Sequence, residues 1–102
     1  MISRVWHGWA TRENADAYEE LLRTQVFPWI ARIDGYRGAF LLRRDDGDEV
    51  EFVTITRFES MDAVRAFAGD DEEASVVLPE AEALLSRFDA RSVHYETVLE
   101  PD

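Results

Sequence analysis

The stretches of this chain that alternate like β-strands carry apolar residues on both of their faces. Phe40 and Leu42 stand against Ala39 and Leu41 in one stretch; Phe52 and Phe58 stand against Val53 and Ile55 in another. Successive strand residues point to opposite faces, and a solvated face reads as clean polar alternation. Both faces of the sheet must therefore be covered. The first strand, Ile2 to Trp9, obeys the same rule and carries chemistry as well. Val5, His7 and Trp9 share one side, with Arg4 and Trp6 on the other. Indole and imidazole need hydrogen-bond partners when buried, so this strand brings polar handles into an apolar interior, as pocket walls do.

A helix is expected after Thr11–Asn14, where Thr11 or Asn14 can cap it. Its apolar face is Tyr18, Leu21, Leu22, Val26, Trp29, Ile30 and Ile33. Pro28 falls inside this pattern and should kink or divide the helix at about Phe27, because proline has no N–H to give and crowds the preceding turn. Gly35 ends it. Tyr36–Arg44 and Val50–Phe58 read as strands joined at Asp46-Gly47, a hairpin turn. The acidic tip Asp45–Glu49 lacks the alternating ligands of a calcium loop and is expected to be a solvated turn.

Ser60 caps a second helix whose inner side is Met61, Val64, Phe67 and Ala68. The run Asp70–Glu73 reads as a solvated connection. Ala81, Leu84, Leu85 and Phe88 recur at helical spacing, predicting a helix over Pro79–Phe88, and Arg91–Leu99 reads as the last strand.

The order strand, helix, strand, strand, helix, strand predicts an α+β ferredoxin-like βαββαβ fold, with four antiparallel strands in one domain spanning 1–102. Right-handed crossovers place the third strand between the first and second, and the fourth on the free side of the first. His7 and His94 then lie on neighbouring strands, with relative facing set by register. Helices cover only one face of such a sheet. Since the strands are apolar on both faces, a second copy is the economical cover, and a homodimer is expected.

Composition narrows the partners. Twenty-two acidic residues against eleven basic ones, all of them arginine, give a formal charge of −11. Such a chain repels phosphate backbones and anionic lipid, so neither nucleic acid nor a membrane surface is an expected partner. There is no cysteine, hence no disulfide framework and no thiolate nucleophile or ligand. Neither a signal sequence nor an apolar run of spanning length is read, and a cytoplasmic location is expected.

At this point the chain, over residues 2 to 99, resembles the antibiotic biosynthesis monooxygenase family of the dimeric α/β-barrel superfamily. The resemblance rests on element order and lengths. It rests also on Gly35-Tyr36-Arg37-Gly38 opening the second strand, and on Thr54-Ile55-Thr56-Arg57-Phe58-Glu59-Ser60 leading into Met61-Asp62-Ala63. It implies a homodimer of paired sheets, with a small-molecule cavity in each subunit between the sheet and its own helices. It implies one of two chemistries. One branch oxidises phenols or hydroquinones to quinones with O₂ and no cofactor. The other binds and degrades haem, using a Trp and a His on the later helical segment. This sequence has Phe67 where that Trp would fall and Val76 or Val77 near the His, so neither haem nor any other cofactor or metal is expected.

A phenol oxygenase must remove a proton, hold the oxyanion and exclude water. His7 and His94 are the candidate catalytic bases, with His7 placed first if it faces the helix-side cavity. Glu96 is then the nearest carboxylate expected beside it. Trp6, Trp9, Trp29, Tyr36, Phe67 and Tyr95 are candidates to stack on a flat substrate, and Arg57 (or Arg37) could hold a phenolate if it turned inward. Two further readings stand beside the oxygenase: a cyclase, isomerase or lyase using the same imidazoles, and a non-catalytic small-molecule-binding dimer. No Gly-x-Ser-x-Gly elbow supports a hydrolase.

Overall fold

A computed structural model describes residues 1–101. Strand β1 (Ile2–Thr11) runs into α1 (Arg12–Leu21), and Thr11 is the cap, its hydroxyl accepting from the Asn14 amide. Leu22–Val26 then forms one π-helical turn before α2 (Phe27–Ile30). Pro28 is the cause that sequence supplies: its missing N–H leaves the preceding turn one donor short. The chain accommodates this by widening, with the Phe27 amide donating five residues back to Leu22. The helix is divided at Phe27, as the sequence predicts.

The hairpin β2 (Tyr36–Asp46) and β3 (Glu49–Phe58) follows, then α3 (Met61–Ala68), capped by the Ser60 hydroxyl. Gly35 turns the chain with φ of +93°, and a Cβ there would sit 2.8 Å from that of Ala63, so only glycine serves.

The C-terminal third departs from expectation. The helix α4 spans only Pro79–Glu82, and Leu85–Phe88 is a strand, β4. The cause lies in the ladder. Leu85 pairs with Ala10 and Phe88 with Gly8, while a bulge between Trp9 and Ala10 absorbs one residue. Leu85 and Phe88 thus reach the same face three residues apart, a spacing that imitates a helix. The last strand is shorter than Arg91–Leu99: β5 is Val93–Glu96. Both β4 and β5 pair with β1, so the fourth position is shared by two short strands and the sheet counts five. All its pairings are antiparallel in the order β2-β3-β1-β4, with β5 also on β1. This is the α+β, ferredoxin-like arrangement with β1 internal.

Even-numbered residues of β1 face the helices. Ala10 joins Ala15, Tyr18, Leu22, Val50, Phe52 and Ala81 in one buried cluster. Ile30, Phe58, Ala63 and Val64 form a second. No helix among the described residues covers the opposite face, and Phe40, Leu42, Val93 and Tyr95 are each about half exposed there. In Asp70–Glu73, Asp70, Asp71 and Glu73 are exposed, as expected of a solvated connection, and the run is also tied down. Asp71 and Glu73 pair with Arg91, Glu72 pairs with Arg65, and Ala74 bridges Arg91 through backbone. No helix among the described residues is long and apolar enough to cross a membrane.

Candidate functional site

Between the two buried clusters lies a cleft. Its floor is the helix side of β1 and β3, contributing Arg4, Trp6, Thr54 and Thr56. Tyr18, Leu22, Val26, Phe27 and Ile30 form one wall, and Phe67, Val76, Val77, Leu78, Ala81 and Ser92 the other. Its atom-free space is about 550 Å³ counting the open mouth, yet only about 60 Å³ admits the centre of a water-sized molecule. A flat aromatic therefore enters only if the walls part. Two lining segments lie outside the sheet: the π-helical turn and the irregular Val76–Leu78.

Gly8 makes room for the Trp6 ring. A Cβ at residue 8 would lie 3.2 Å from that indole and 3.3 Å from Leu85. The indole nitrogen donates to the Asp89 carbonyl at 2.7 Å, which fixes the ring along the floor. Phe67 stacks on Phe58 and meets Trp29 edge-on, with centroids 5.8 Å apart in the second pair. Trp29 thus backs the wall from outside.

Arg4 is the polar centre of the cleft. It is 4% exposed, and its guanidinium lies over the Phe67 ring. Nη1 donates to the Glu72 carbonyl and to His94 Nε2 at 2.9 Å; Nη2 donates to the Ala74 carbonyl at 2.7 Å. Arginine only donates, so His94 carries its proton on Nδ1. Burial, without an acidic partner, pulls the Arg4 pKa down to about 10, which leaves it charged at neutral pH. Burial first, then the Arg4 charge, lowers the pKa of His94. Thr54 Oγ1 is buried with no hydrogen-bond partner.

The predicted site residues divide between the two faces. Trp6 and Phe67 line the cleft. His94 sits one hydrogen bond behind it, through Arg4. His7 does not enter it. Its odd number places it on the uncovered face opposite Val53, and its carboxylate neighbours are Asp89 at 3.2 Å and Glu51 at 4.0 Å, in place of the expected Glu96. Trp9 shares that face, its nitrogen donating to Asp46 and the Arg87 guanidinium lying 4.0 Å over its ring. Arg57 pairs with Glu100, and Tyr95 lies beside Ser3 and is exposed. Tyr36 packs edge-on against Phe58, outside the cleft lining. Sequence reasoning missed Arg4, Thr54, Tyr18 and Ser92. Arg4 had a signal, since it shares parity with Trp6 and is a cation inside a strand covered on both sides.

The lining also bears on haem. It contains no His, Cys or Met, and its one conceivable iron ligand, Tyr18, is held protonated because burial raises its phenol pKa. These residues do not fit a haem iron.

Solved structures of the same fold include SnoaB, a cofactor-independent oxygenase from Streptomyces nogalater, in a mutant form. It is 24% identical over 97% of this chain and 94% of its own, with a TM-score of 0.66. The heme-degrader MhuD from Mycobacterium tuberculosis, with two hemes bound in its active site, is 19% identical over all of both chains, with a TM-score of 0.62. A monooxygenase from Streptomyces coelicolor in complex with nanaomycin D is 18% identical over 99% of this chain and 92% of its own, with a TM-score of 0.59. No curated protein matches the sequence. The antibiotic biosynthesis monooxygenase family matches residues 1–74, from β1 through α3 and into the segment that Arg4 holds, and the chain belongs to that family.

Proposed function

We propose that this chain is a cofactor-independent monooxygenase acting on a small aromatic phenol or hydroquinone in the cleft, as a homodimer joined through the uncovered face of the sheet. The observation that carries the reading is the cleft itself: aromatic and aliphatic walls around a few polar groups, in a member of a monooxygenase family. The likeness to a cofactor-independent oxygenase and to a monooxygenase holding nanaomycin D supports the substrate class. In the overall reaction a phenol gains one oxygen atom as a quinone carbonyl, and the second atom of O₂ leaves as water with the two hydrogens lost. The chain's part is to align the ring between Trp6 and Phe67, favour the ionised phenol and keep bulk water away.

The lining includes no Asp, Glu or His to serve as a general base. That removes the support for a cyclase or lyase using an imidazole in the cleft, and it favours a non-catalytic binding protein as the second reading. Oxygen uptake measured with a panel of naphthols, anthrones and hydroquinones, without added cofactor, separates the two. Catalysed uptake with quinone formation is expected. Binding without uptake across the panel would favour the second reading.

A further inference from the structure

We infer that the ligand of the cleft carries an anionic oxygen, and that Arg4 is its seat. This rests on the cleft being the ligand site. Among the described residues the other arginines pair with carboxylates, except Arg32, which is exposed. Arg4 is the buried exception, in a chain with twice as many acidic as basic residues. Its contacts are two backbone carbonyls and a neutral imidazole nitrogen. They satisfy hydrogen bonds and leave the charge uncompensated, which is costly in a desolvated site. The 72–74 carbonyls gain from a charged donor, but they are dipoles and not a counter-ion, so the guanidinium retains room for an anionic partner.

The register supplies a second donor. Thr56 lies directly across from Arg4 on β3, and Thr54 lies across from Trp6, so the unpartnered Thr54 hydroxyl is the diagonal neighbour of Arg4 on the same floor. A planar anion whose ring lies along Trp6 can set one oxygen toward the guanidinium and accept a hydrogen bond from Thr54. Carboxylate and ionised phenol share this chemistry. For a phenol, the O–H bond breaks heterolytically as the ligand leaves solution: the proton passes to bulk water, and the electron pair stays on the oxygen that then faces Arg4. A cation that stabilises the anion thus does the work for which the lining has no base.

The test compares 2-naphthoate with its methyl ester, and 4-nitrophenol below and above its own ionisation, which falls near neutral pH where Arg4 keeps its charge, by calorimetry on the full chain. The wild type should bind naphthoate on the order of tenfold to a hundredfold tighter than the ester, the scale of a hydrogen bond to a charged group. Arg4→Lys should keep that preference and Arg4→Gln should abolish it. The Arg4 side-chain N–H resonance should shift with naphthoate and stay still with the ester, which decides the matter even where Arg4→Gln fails to fold. Nitrophenol affinity that rises with its ionisation names a phenolate; a preference confined to naphthoate names a carboxylate. Equal binding of acid and ester, a preference that survives in Arg4→Gln, or no binding of either ligand overturns the inference. Naphthoate binding is read without turnover. An acid preference with no oxygen uptake on any panel member therefore keeps Arg4 and sinks the oxygenase, and uptake without an acid preference does the reverse.

Discussion

The two faces of β1 use the same kinds of residue for opposite ends. On the helix side, Arg4 and Trp6 are immersed in apolar walls. The indole has a backbone partner, while among the described residues no carboxylate pairs with the guanidinium. On the other side, His7 and Trp9 are met by carboxylates, Asp89, Glu51 and Asp46, and Arg87 covers Trp9. One face leaves a charge open to a ligand; the other neutralises its polar groups locally and leaves Phe40, Leu42, Val93 and Tyr95 bare. Polarity alone does not mark a site. An unanswered charge in a concave apolar setting does, and the bare apolar face is where the proposed homodimer would join.

The largest expected effect breaks the second half of that comparison. Ile55 sits on the uncovered face between Val5 and Phe40. If a second copy covers this face, Ile55→Asp buries an unpaired carboxylate and should weaken the dimer on the order of 10²- to 10³-fold. Light scattering across a dilution series checks it, and a variant dimer as tight as the wild type's, or a monomeric wild type, would refute the paired-sheet reading. Next comes a pair of matched truncations. Trp6→Ala should cost roughly tenfold in affinity for a cleft ligand, since stacked aromatics contribute about a kilocalorie or more beyond area. Trp9→Ala should leave that affinity within about twofold, because its contacts are confined to the other face. Equal losses would mean that the two faces are not independent.

Most of this division was legible in the sequence. Apolar residues on both faces of the strands announced an uncovered sheet face, and the parity of Arg4 with Trp6 against His7 with Trp9 was already fixed by alternation. Parity names no inside, however. Which set faces the helices depends on how β1 meets α1, and His7, the more familiar catalytic residue, fell on the wrong side. The C-terminal third misled for a different reason. The bulge opposite Trp9 gave Leu85 and Phe88 a helical spacing inside a strand, and bulges leave no mark in a hydrophobic pattern. The tie between Arg4 and the 72–74 backbone was invisible because carbonyl acceptors belong to every residue and carry no side-chain signature.

A smaller effect concerns pH. His94 accepts from Arg4; burial and the Arg4 charge lower its pKa, and the more distant Glu72 and Glu73 carboxylates partly oppose that shift at the imidazole. Its pKa in the folded chain is lowered, so below about 6.5 the unfolded chain takes up the proton first. The stability His94 contributes is complete above that pH and is lost as pH falls toward the folded value. Melting temperature should therefore decline more steeply on mild acidification in the wild type than in His94→Asn, which cannot charge. Parallel declines would mean that the imidazole stays charged or fully solvated in the fold.

The smallest expected effect probes the floor of the cleft. Thr54 Oγ1 is buried and lacks a partner, and a hydroxyl in that position forfeits its bonds to water without replacement. Thr54→Val keeps the β-branched shape that suits a strand while removing the orphan oxygen. Without ligand, the variant should be as stable as the wild type or more stable by up to about 1 kcal/mol, read from denaturant midpoints. With an anionic ligand bound, the sign should reverse, because the wild-type hydroxyl then has an acceptor and the valine has nothing to offer. A ligand-induced rise in melting temperature should thus be smaller in Thr54→Val than in the wild type. If Thr54→Val is destabilised without ligand, the hydroxyl already has a partner in solution, and the floor of the cleft is as settled as the opposite face of β1.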